Sequence, residues 1–449
     1  MNTELYILWD ASTIWGLMAL RAAQAFALPC RLVKATAIAQ GLLSGKPPAM
    51  LLVPGGAARL KCAALGRAGR EAIRQYVREG GQYLGFCGGA GLGLTAAREE
   101  DGLALCPWTR AAYGDRLQHL ISGHALVETA QSPLTPAFGP CACTEQATQH
   151  TAPAQEAPSA PALASVPVWW PGRFAPQDGG DVQVLARYAR PDADFWVADL
   201  PLSSVPHGTF AAWRDLYGVN LSADFLQGQP VIIHGSYGKG AYTLSYSHLE
   251  TPHSPQANAW LAHLLAAQGG LRPQGNLVPP WHPDKEPVRW EDTALNAPLL
   301  AARAETLRLL ETGAAHNLLF RRTCWLMGWR TGIPGAALNS LYAGLSTALS
   351  LPPTADARAY WAHCRPRFAE IFPLFRQGAE DYLLAERLAT TLAPTMPEAL
   401  SKHGLNAQRE ALFGHAMTGG GLISELLDTV DELIYRQEGA RHAEGKRQG

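Results

Sequence analysis

The sequence GQYLGFCGGAGLG, residues 81–93, decides the predicted fold of the N-terminal half of the chain. The apolar run Gln82–Phe86 predicts a short buried strand, and the glycines after Cys87 predict a tight turn that opens a helix. A strand that breaks sharply into a helix places the turn residue at the carboxyl end of the strand, with strained dihedral angles and an exposed side chain. Gly85 and Gly89 flank Cys87 as Gly-x-Cys-x-Gly, which is the pattern of a nucleophile elbow with cysteine in place of serine.

Two other interpretations of Cys87 stay open at this point. A single cysteine is more often a buried structural residue than a nucleophile. A glycine-rich turn after a strand also binds dinucleotide phosphates, although Gly89, Gly91 and Gly93 do not have the Gly-x-Gly-x-x-Gly spacing. Cys87 therefore needs partners elsewhere in the chain before it can act as a nucleophile.

Apolar strands alternate with helical patterns along the N-terminal part of the chain. Strands are predicted at Leu5–Trp9, Arg31–Lys34 and Ala49–Val53, and helices at Ser12–Phe26, Thr36–Leu43 and Gly69–Glu79. This alternation predicts an α/β fold with a doubly wound parallel sheet, in which ligands bind at the carboxyl ends of the strands. Pro54-Gly55-Gly56 and Cys87 both follow such ends.

A base and a carboxylate follow a later pair of strands. Pro230–His234 and Ala241–Tyr246 predict a hairpin, and His248 and Glu250 come shortly after it. Side chains two residues apart share one face of a strand, so Glu250 can fix the tautomer of His248 while the other ring nitrogen faces a thiol. Gly55 and Gly56 offer backbone N–H groups to a developing oxyanion. Taken alone, a His-x-Glu pair is most often a solvated loop pair.

These segments together resemble a known superfamily. Val53-Pro54-Gly55-Gly56, the segment 83–90, and Gly238-Lys239-Gly240 followed by His248-Leu249-Glu250 resemble the class I glutamine amidotransferase-like proteins, and among them the N-terminal domain of biotin-protein ligases. The resemblance covers about residues 3–268. It implies a flavodoxin-like fold with Cys87 as nucleophile, His248 as base, Glu250 as the acid that orients it, and Gly55 and Gly88 as oxyanion-hole amides. The chain has no Gly-Arg-Gly-Arg-type adenylate-binding segment, so a complete biotin ligase is not implied.

Composition divides the chain into three parts. Residues 1–270 are the predicted α/β domain, with a flexible insertion at about 131–164 that is rich in Pro, Ala, Gln, Thr and Ser. Residues 271–292 form a proline-rich linker. Residues 293–449 carry amphipathic patterns without strand signals and predict an all-α helical domain. Its predicted helices are Ala302–Thr312, Asn317–Met327, Ala336–Leu349, Ala355–Phe375, Gly378–Leu392 and Gly421–Tyr435.

Charge and cysteine content exclude several classes of partner. The formal net charge is −1, so no overall field attracts nucleic acid or anionic lipid. No uncharged apolar run is long enough to predict a transmembrane helix. Eight cysteines in 449 residues, mostly scattered singly, predict a reducing, cytoplasmic location rather than a disulfide framework. Neither a cofactor nor a metal ion is expected.

Two functions from different classes follow. The first is a cysteine-dependent amidohydrolase or amidotransferase-like enzyme, with a Cys87–His248–Glu250 triad that acts on a small amide through a thioester. The alternative is a non-catalytic small-molecule-binding or regulatory protein that keeps the fold, whose helical domain docks a protein partner. Asp10, at the end of the first strand, is a candidate to contact a ligand amine or to cap the following helix.

Overall fold

The computed structural model describes residues 3–112, 120–138, 162–415 and 419–448. The chain divides into two units, Met1–Leu8 with Met18–Pro279, and Trp9–Leu17 with Pro280–Gly449. The predicted insertion falls largely on residues 139–161, which lie outside the described residues. The residues just before that gap are held against a later helix, since Leu134 accepts a 2.9 Å hydrogen bond from Trp260 Nε1.

Twelve strands of the described chain belong to the first unit. They are β1 (Leu5–Leu8), β2 (Cys30–Val33), β3 (Met50–Val53), β4 (Gln82–Phe86), β5 (Thr109–Arg110), β6 (Ile121–Thr129), β7 (Leu163–Trp169), β8 (Phe174–Ala175), β9 (Val182–Val197), β10 (Leu200–Pro201), β11 (Pro230–Tyr237) and β12 (Gly240–Ser245). Ten of these strands form one sheet in the order β2-β1-β3-β4-β12-β11-β9-β6-β7, with β10 paired to β9. β5 and β8 form a separate antiparallel pair.

The sheet has a parallel half and an antiparallel half. Neighbouring strands from β2 to β12 are parallel. The strands from β12 to β7 are antiparallel. All four residues of β1 and of β3 are buried, as expected for parallel strands that are covered on both faces. The strand order reverses between β1 and β3, which is the flavodoxin-like arrangement. The predicted α/β fold class is confirmed.

Seven helices accompany these strands in the described residues. They are α1 (Thr13–Ala25), α2 (Ala35–Ala39), α3 (Leu42–Gly45), α4 (Ala58–Arg78), α5 (Gly88–Gly93), α6 (Thr209–Tyr217) and α7 (Pro255–Ala267). The helix predicted at Gly69–Glu79 is the second part of α4, because Gly66 has φ +57° and kinks the helix there.

The pairing of three parallel strands positions the candidate site. Val53, the last residue of β3, pairs with Gly85 near the end of β4. Phe86, the last residue of β4, pairs with Ser245, the last residue of β12. The segments that follow β3, β4 and β12 therefore emerge side by side at one edge of the sheet.

Helices dominate the second unit, as predicted. They are α8 (Thr293–Ala315), α9 (Gly335–Ser350), α10 (Ala355–Leu392), α11 (Lys402–Phe413) and α12 (Gly421–Gln448). α9 is buried along nearly its whole length, and it packs against α8 and α12 as the central helix of this unit. The two helices predicted between Ala355 and Leu392 are one continuous helix of 38 residues. The protein partner predicted for this unit stays a prediction.

The helix predicted at Asn317–Met327 is wrong. α8 ends at Ala315, and Asn317 has φ +56°, a left-handed conformation that stops the helix. The chain then forms an antiparallel hairpin of β13 (Leu319–Arg321) and β14 (Met327–Trp329). The buried side chain of Asn339 bonds both the N–H and the C=O of Met327, at 2.9 and 3.0 Å. A contact from α9 therefore overrides the local helical pattern.

Candidate active site

Cys87 stands at a sharp turn between β4 and α5. Its φ and ψ are 47° and −103°, outside the usual regions for a residue with a side chain. Such strain costs on the order of 1–3 kcal/mol and persists only where the surrounding structure enforces it. Here the Cys87 N–H donates a 2.7 Å hydrogen bond to the carbonyl of Ser245 at the end of β12. The side chain of Cys87 is partly exposed.

Glycines allow two backbone segments to meet beside Cys87. A Cβ atom on Gly88 would lie 1.9 Å from the carbonyl oxygen of Gly56, and one on Gly89 would lie 2.0 Å from that of Val53. Gly56 has φ +106°, a conformation that favours glycine. Gly55 is buried in the same bend after β3. The structure thus brings Gly56 and Gly88, two predicted oxyanion donors, into contact through their backbones.

Replacement of Gly88 by alanine is expected to destabilise the first unit. The added methyl group meets backbone atoms that cannot rotate away, and overpacking of this kind costs about 1–3 kcal/mol. Gly91→Ala in the same helix is the matched control, because its Cβ would lie 3.9 Å from Ala58 Cβ, an ordinary contact. Denaturant unfolding of both variants checks the prediction. Equal midpoints for the two variants would contradict it.

His248 and Glu250 form a buried pair beyond the end of β12. His248 Nδ1 lies 2.8 Å from Glu250 Oε1, and neither side chain is exposed. The two residues lie in the turn after the strand rather than on the strand itself, which ends at Ser245. The His248 N–H donates a 2.9 Å bond to the carbonyl of Pro167 on β7, so the turn is anchored to a second strand.

The charge of His248 is set by its two neighbours. Burial is the largest single influence and lowers the pKa of His248, whereas the charge of the Glu250 carboxylate raises it. The hydrogen bond with Glu250 and the nearby Cys87 also raise it, and these influences together outweigh burial, so that the pKa rises from 6.5 to about 10. His248 is therefore an imidazolium at neutral pH, bonded to the Glu250 carboxylate through Nδ1 and close enough to the Cys87 sulfur for the two to interact electrostatically.

Stability is expected to fall with rising pH because of His248. A group whose folded pKa is raised stabilises the fold fully below its unfolded pKa, here 6.5, and loses that contribution as the pH passes its folded pKa, here about 10. The difference in free energy of unfolding between the parent and His248→Gln should therefore shrink between about pH 6.5 and 10. Denaturant titrations at pH 6, 8 and 10 measure it, with the exposed His403→Gln as the control. A constant difference would contradict the raised pKa.

Asn258 holds the turn that carries this pair, and sequence reasoning missed it. Its Nδ2 donates to the carbonyls of Leu249 and Thr251, both at 2.9 Å. Its Oδ1 accepts from the N–H groups of Ser254 and Val278, at 3.3 and 3.0 Å. The side chain is fully buried. The signal that could have identified it was an asparagine on the apolar face of α7, at helical spacing from Leu261 and Leu265.

Replacement of Asn258 by leucine is expected to destabilise the first unit and to slow reactions of Cys87. The change leaves four buried backbone groups without this partner, at about 1–3 kcal/mol for each group that stays unsatisfied. Asn339→Leu is the matched control, since Asn339 also bonds backbone groups from a buried helix. Both variants should unfold more easily, but the alkylation rate of Cys87 in the folded protein should fall only in Asn258→Leu. Equal alkylation rates of Cys87 in the two variants would argue against a role of Asn258 in positioning the turn that carries His248 and Glu250.

Asp10 lies two residues after β1, in a turn before α1. Its carbonyl accepts a 3.4 Å hydrogen bond from Ser12 Oγ. The segment Trp9–Leu17 groups with the second unit, whereas Cys87, His248 and Glu250 belong to the first. The predicted role of Asp10 in ligand binding stays a prediction.

The described ranges contain neither a metal-ligand cluster nor a membrane-spanning helix. Within residues 3–112, 120–138, 162–415 and 419–448, no three His, Cys, Asp or Glu side chains are grouped so as to hold a metal ion. Over the same part of the chain, every helix is too short or too polar to cross a bilayer.

Comparison with known proteins supports the class of fold. Residues 27–100 match the family described as biotin-protein ligase, N terminal. This stretch contains β2 to α5 and includes Gly55, Gly56, Cys87 and Gly88, but it ends before His248. The resemblance to the N-terminal domain of biotin-protein ligases that was predicted from the sequence is confirmed over these residues. The parallel half of the sheet has the flavodoxin-like strand order that this resemblance implies. No curated protein matches the chain.

Several solved structures show a distant similarity. PurLQS from Thermotoga maritima is 13% identical, with 56% of this chain and 89% of that chain covered and a TM-score of 0.32. A putative GMP synthase component from Thermoplasma acidophilum is 12% identical, with 60% and 96% covered and a TM-score of 0.35. A putative ThuA-like protein from Bacteroides uniformis is 12% identical, with 60% and 90% covered and a TM-score of 0.34. Similarities this low carry no information about substrate or residue roles.

Proposed function

We propose that the first unit is a cysteine-dependent amidohydrolase or amidotransferase-like enzyme that acts on a small amide. The observation that carries the proposal is the buried His248–Glu250 pair near Cys87, whose side chain interacts electrostatically with His248 and which itself stands on a strained turn. A purely structural cysteine does not need a neighbouring imidazole with an orienting carboxylate. That combination is the one that activates a thiol for nucleophilic attack.

The proposed reaction has two halves. The Cys87 thiolate attacks the amide carbonyl carbon, and the backbone N–H groups near Gly56 and Gly88 stabilise the developing oxyanion. The His248 imidazolium gives its proton to the departing amine, and a thioester on Cys87 remains. His248 then removes a proton from water, or from an acceptor amine, which attacks the thioester and releases Cys87. Glu250 stabilises the imidazolium and fixes the orientation of the ring.

The first experiment measures alkylation of Cys87 by iodoacetamide against pH, with peptide mass mapping. An ordinary thiol titrates near pH 8.5, whereas cysteine nucleophiles that are activated by a neighbouring imidazolium react well below neutrality. We expect rapid alkylation of Cys87 at pH 6, and loss of that reactivity in His248→Ala. The exposed Cys324 is the internal control, and His403→Ala is the matched variant.

A screen of small amides, including glutamine, then tests turnover. We expect release of the amine and a trapped acyl-Cys87 adduct in the mass spectrum. If Cys87 reacts with the same pH dependence as Cys324, the enzyme proposal fails, and the alternative of a non-catalytic binding or regulatory protein takes its place.

A further inference from the structure

A second cluster of polar side chains lies in the first unit, on residues that the proposed mechanism does not use. His124 on β6 contacts Asp194 on β9 through Nδ1 and Oδ2, at 3.0 Å. The other ring nitrogen, Nε2, lies 3.0 Å from the hydroxyl of Ser254, the residue before α7. Carboxylate, imidazole and hydroxyl thus stand in the order found in serine hydrolases.

The chemistry of the three groups fixes the direction of their hydrogen bonds. An ionised carboxylate only accepts, so Nδ1 of His124 carries the hydrogen that is shared with Asp194. In a neutral imidazole Nε2 is then the acceptor, and the Ser254 hydroxyl is the donor. The proton of Ser254 therefore points at a base that is already oriented by an acid, which is the ground-state arrangement for general-base activation of a nucleophile.

Unusual backbone geometry brings the three residues together. Gly123 has φ +113°, and a Cβ atom there would lie 1.7 Å from the carbonyl oxygen of Asp194. The pairing of β6 with β9 shifts register between Gly123 and Ala125, at His124. His253, just before Ser254, has φ +58°, which is a strained value for a residue with a side chain. Gly123 therefore permits a close approach of two strands beside His124, and the strain at His253 is of the kind that clusters at functional sites.

Ser254 also departs from the ordinary role of a serine at the start of a helix. Ser401 shows that ordinary role: its side chain accepts a 3.3 Å hydrogen bond from the N–H of Gly404 and so caps the start of α11. Ser254 makes no such side-chain bond to α7. Its hydroxyl is engaged with His124 instead, and the first-turn N–H groups of Gln256 and Ala257 have no carbonyl partner within the helix. Such N–H groups are suited to stabilise an oxyanion.

Within the cluster, exposure to solvent increases from Ser254 through His124 to Asp194. Ser254 is 3% exposed, whereas the side chains of His124 and Asp194 are 23% and 44% exposed. The hydroxyl is therefore nearly buried, whereas the imidazole and the carboxylate beside it are partly exposed to solvent. A substrate that reaches the hydroxyl therefore has to carry a small acyl group.

We propose that Ser254, His124 and Asp194 form a second nucleophilic site, which takes the acyl group of small carboxylic esters. The Ser254 oxygen forms a bond to the ester carbonyl carbon, and its proton passes to His124 Nε2. The carbon–oxygen bond of the leaving alcohol breaks, and His124 returns the proton to that alcohol. Water then hydrolyses the acyl-serine by the same route, and Asp194 stabilises the imidazolium throughout.

The test is covalent labelling by a small alkyl fluorophosphonate, followed by peptide mass mapping. It is done on the full chain with Cys87→Ala, so that thiol chemistry does not contribute. We expect a phosphonate on Ser254. In His124→Gln the labelling rate should fall by about a hundredfold, the usual contribution of a general base. Ser401→Ala, which removes a true capping serine, should leave the rate unchanged.

Two results would overturn the proposal. One is the absence of a label on Ser254 in folded protein, and the other is an equal labelling rate of Ser254 with His124 present and in His124→Gln. If His124→Gln does not fold, as judged by circular dichroism, Asp194→Asn decides, because the Asp194 side chain is 44% exposed and its replacement is tolerable. Asp194→Asn should slow labelling by at least about tenfold, and an unchanged rate would show that the cluster is structural. Labelling of Ser254 and alkylation of Cys87 are separate readouts, so either site can fail without the other.

Discussion

Replacement of Cys87 by serine is expected to lower the turnover of a small amide by about 10⁴-fold or more, close to complete loss, as for other enzymes deprived of their nucleophile. A serine hydroxyl next to His248 keeps its proton, because its pKa lies far above that of a thiol, and no thiolate is available to attack. Initial rates of amine release, measured with the best amide from the screen, check the prediction.

The matched control for this change is Cys324→Ser. Cys324 is exposed and belongs to the second unit, so its replacement should leave the rate of amine release unchanged. Cys87→Ser should unfold at nearly the same denaturant concentration as the parent, because both side chains are small and adopt the same strained turn. Turnover that survives in folded Cys87→Ser would exclude thioester chemistry.

Replacement of Glu250 by glutamine is expected to lower kcat by about 10³- to 10⁴-fold, with a smaller change in KM. The amide keeps the shape of the side chain but removes the negative charge that, among the groups near His248, does most to raise its pKa against the effect of burial. The pKa of His248 should therefore fall, and the imidazole no longer holds its proton at neutral pH. The expected signature is a kcat–pH profile whose basic limb moves to lower pH.

Glu128→Gln provides the control for Glu250→Gln, since Glu128 is an exposed carboxylate on β6 of the same unit. Its replacement should change neither kcat nor the pH profile. A pH profile that is identical in Glu250→Gln and in the parent would show that Glu250 does not act on His248, even if kcat is lower for another reason.

The two proposed sites share one short segment of the chain. His248 and Glu250 lie in the turn after β12, and Ser254 follows a few residues later at the start of α7. Asn258 bonds both the carbonyls of this turn and the N–H of Ser254. On the other side, His248 bonds Pro167 on β7, and Pro167 pairs directly with His124 on β6. Asn258→Leu is therefore expected to disturb both sites at once, whereas Glu250→Gln and Asp194→Asn each affect one.

Local sequence was sufficient where short-range geometry decides the structure. The glycines around Cys87 are required because neighbouring backbone segments approach so closely that a Cβ atom at these positions would clash with them. The Gly-x-Cys-x-Gly pattern in the sequence indicates this close approach. The apolar runs of β1, β3 and β4 likewise predicted buried parallel strands. The His-x-Glu spacing predicted that the two side chains pair, and they do, although they lie in a turn after β12 and not on the strand face from which the prediction was argued. In each case the information lies within a few residues of the feature that it encodes.

Tertiary structure alone decided the remaining features. Asn317–Met327 has a helical pattern, but Asn339 from α9 holds Met327 in a hairpin. Asp194 and Ser254 are 70 and 130 positions away from His124, and they meet it only because β6 pairs with β9 and α7 begins beside β6. The sequence by itself determined the α/β fold and the turn at Cys87, because dihedral preferences and periodicity act locally. Which distant side chains meet depends on strand order and register, which no local pattern records.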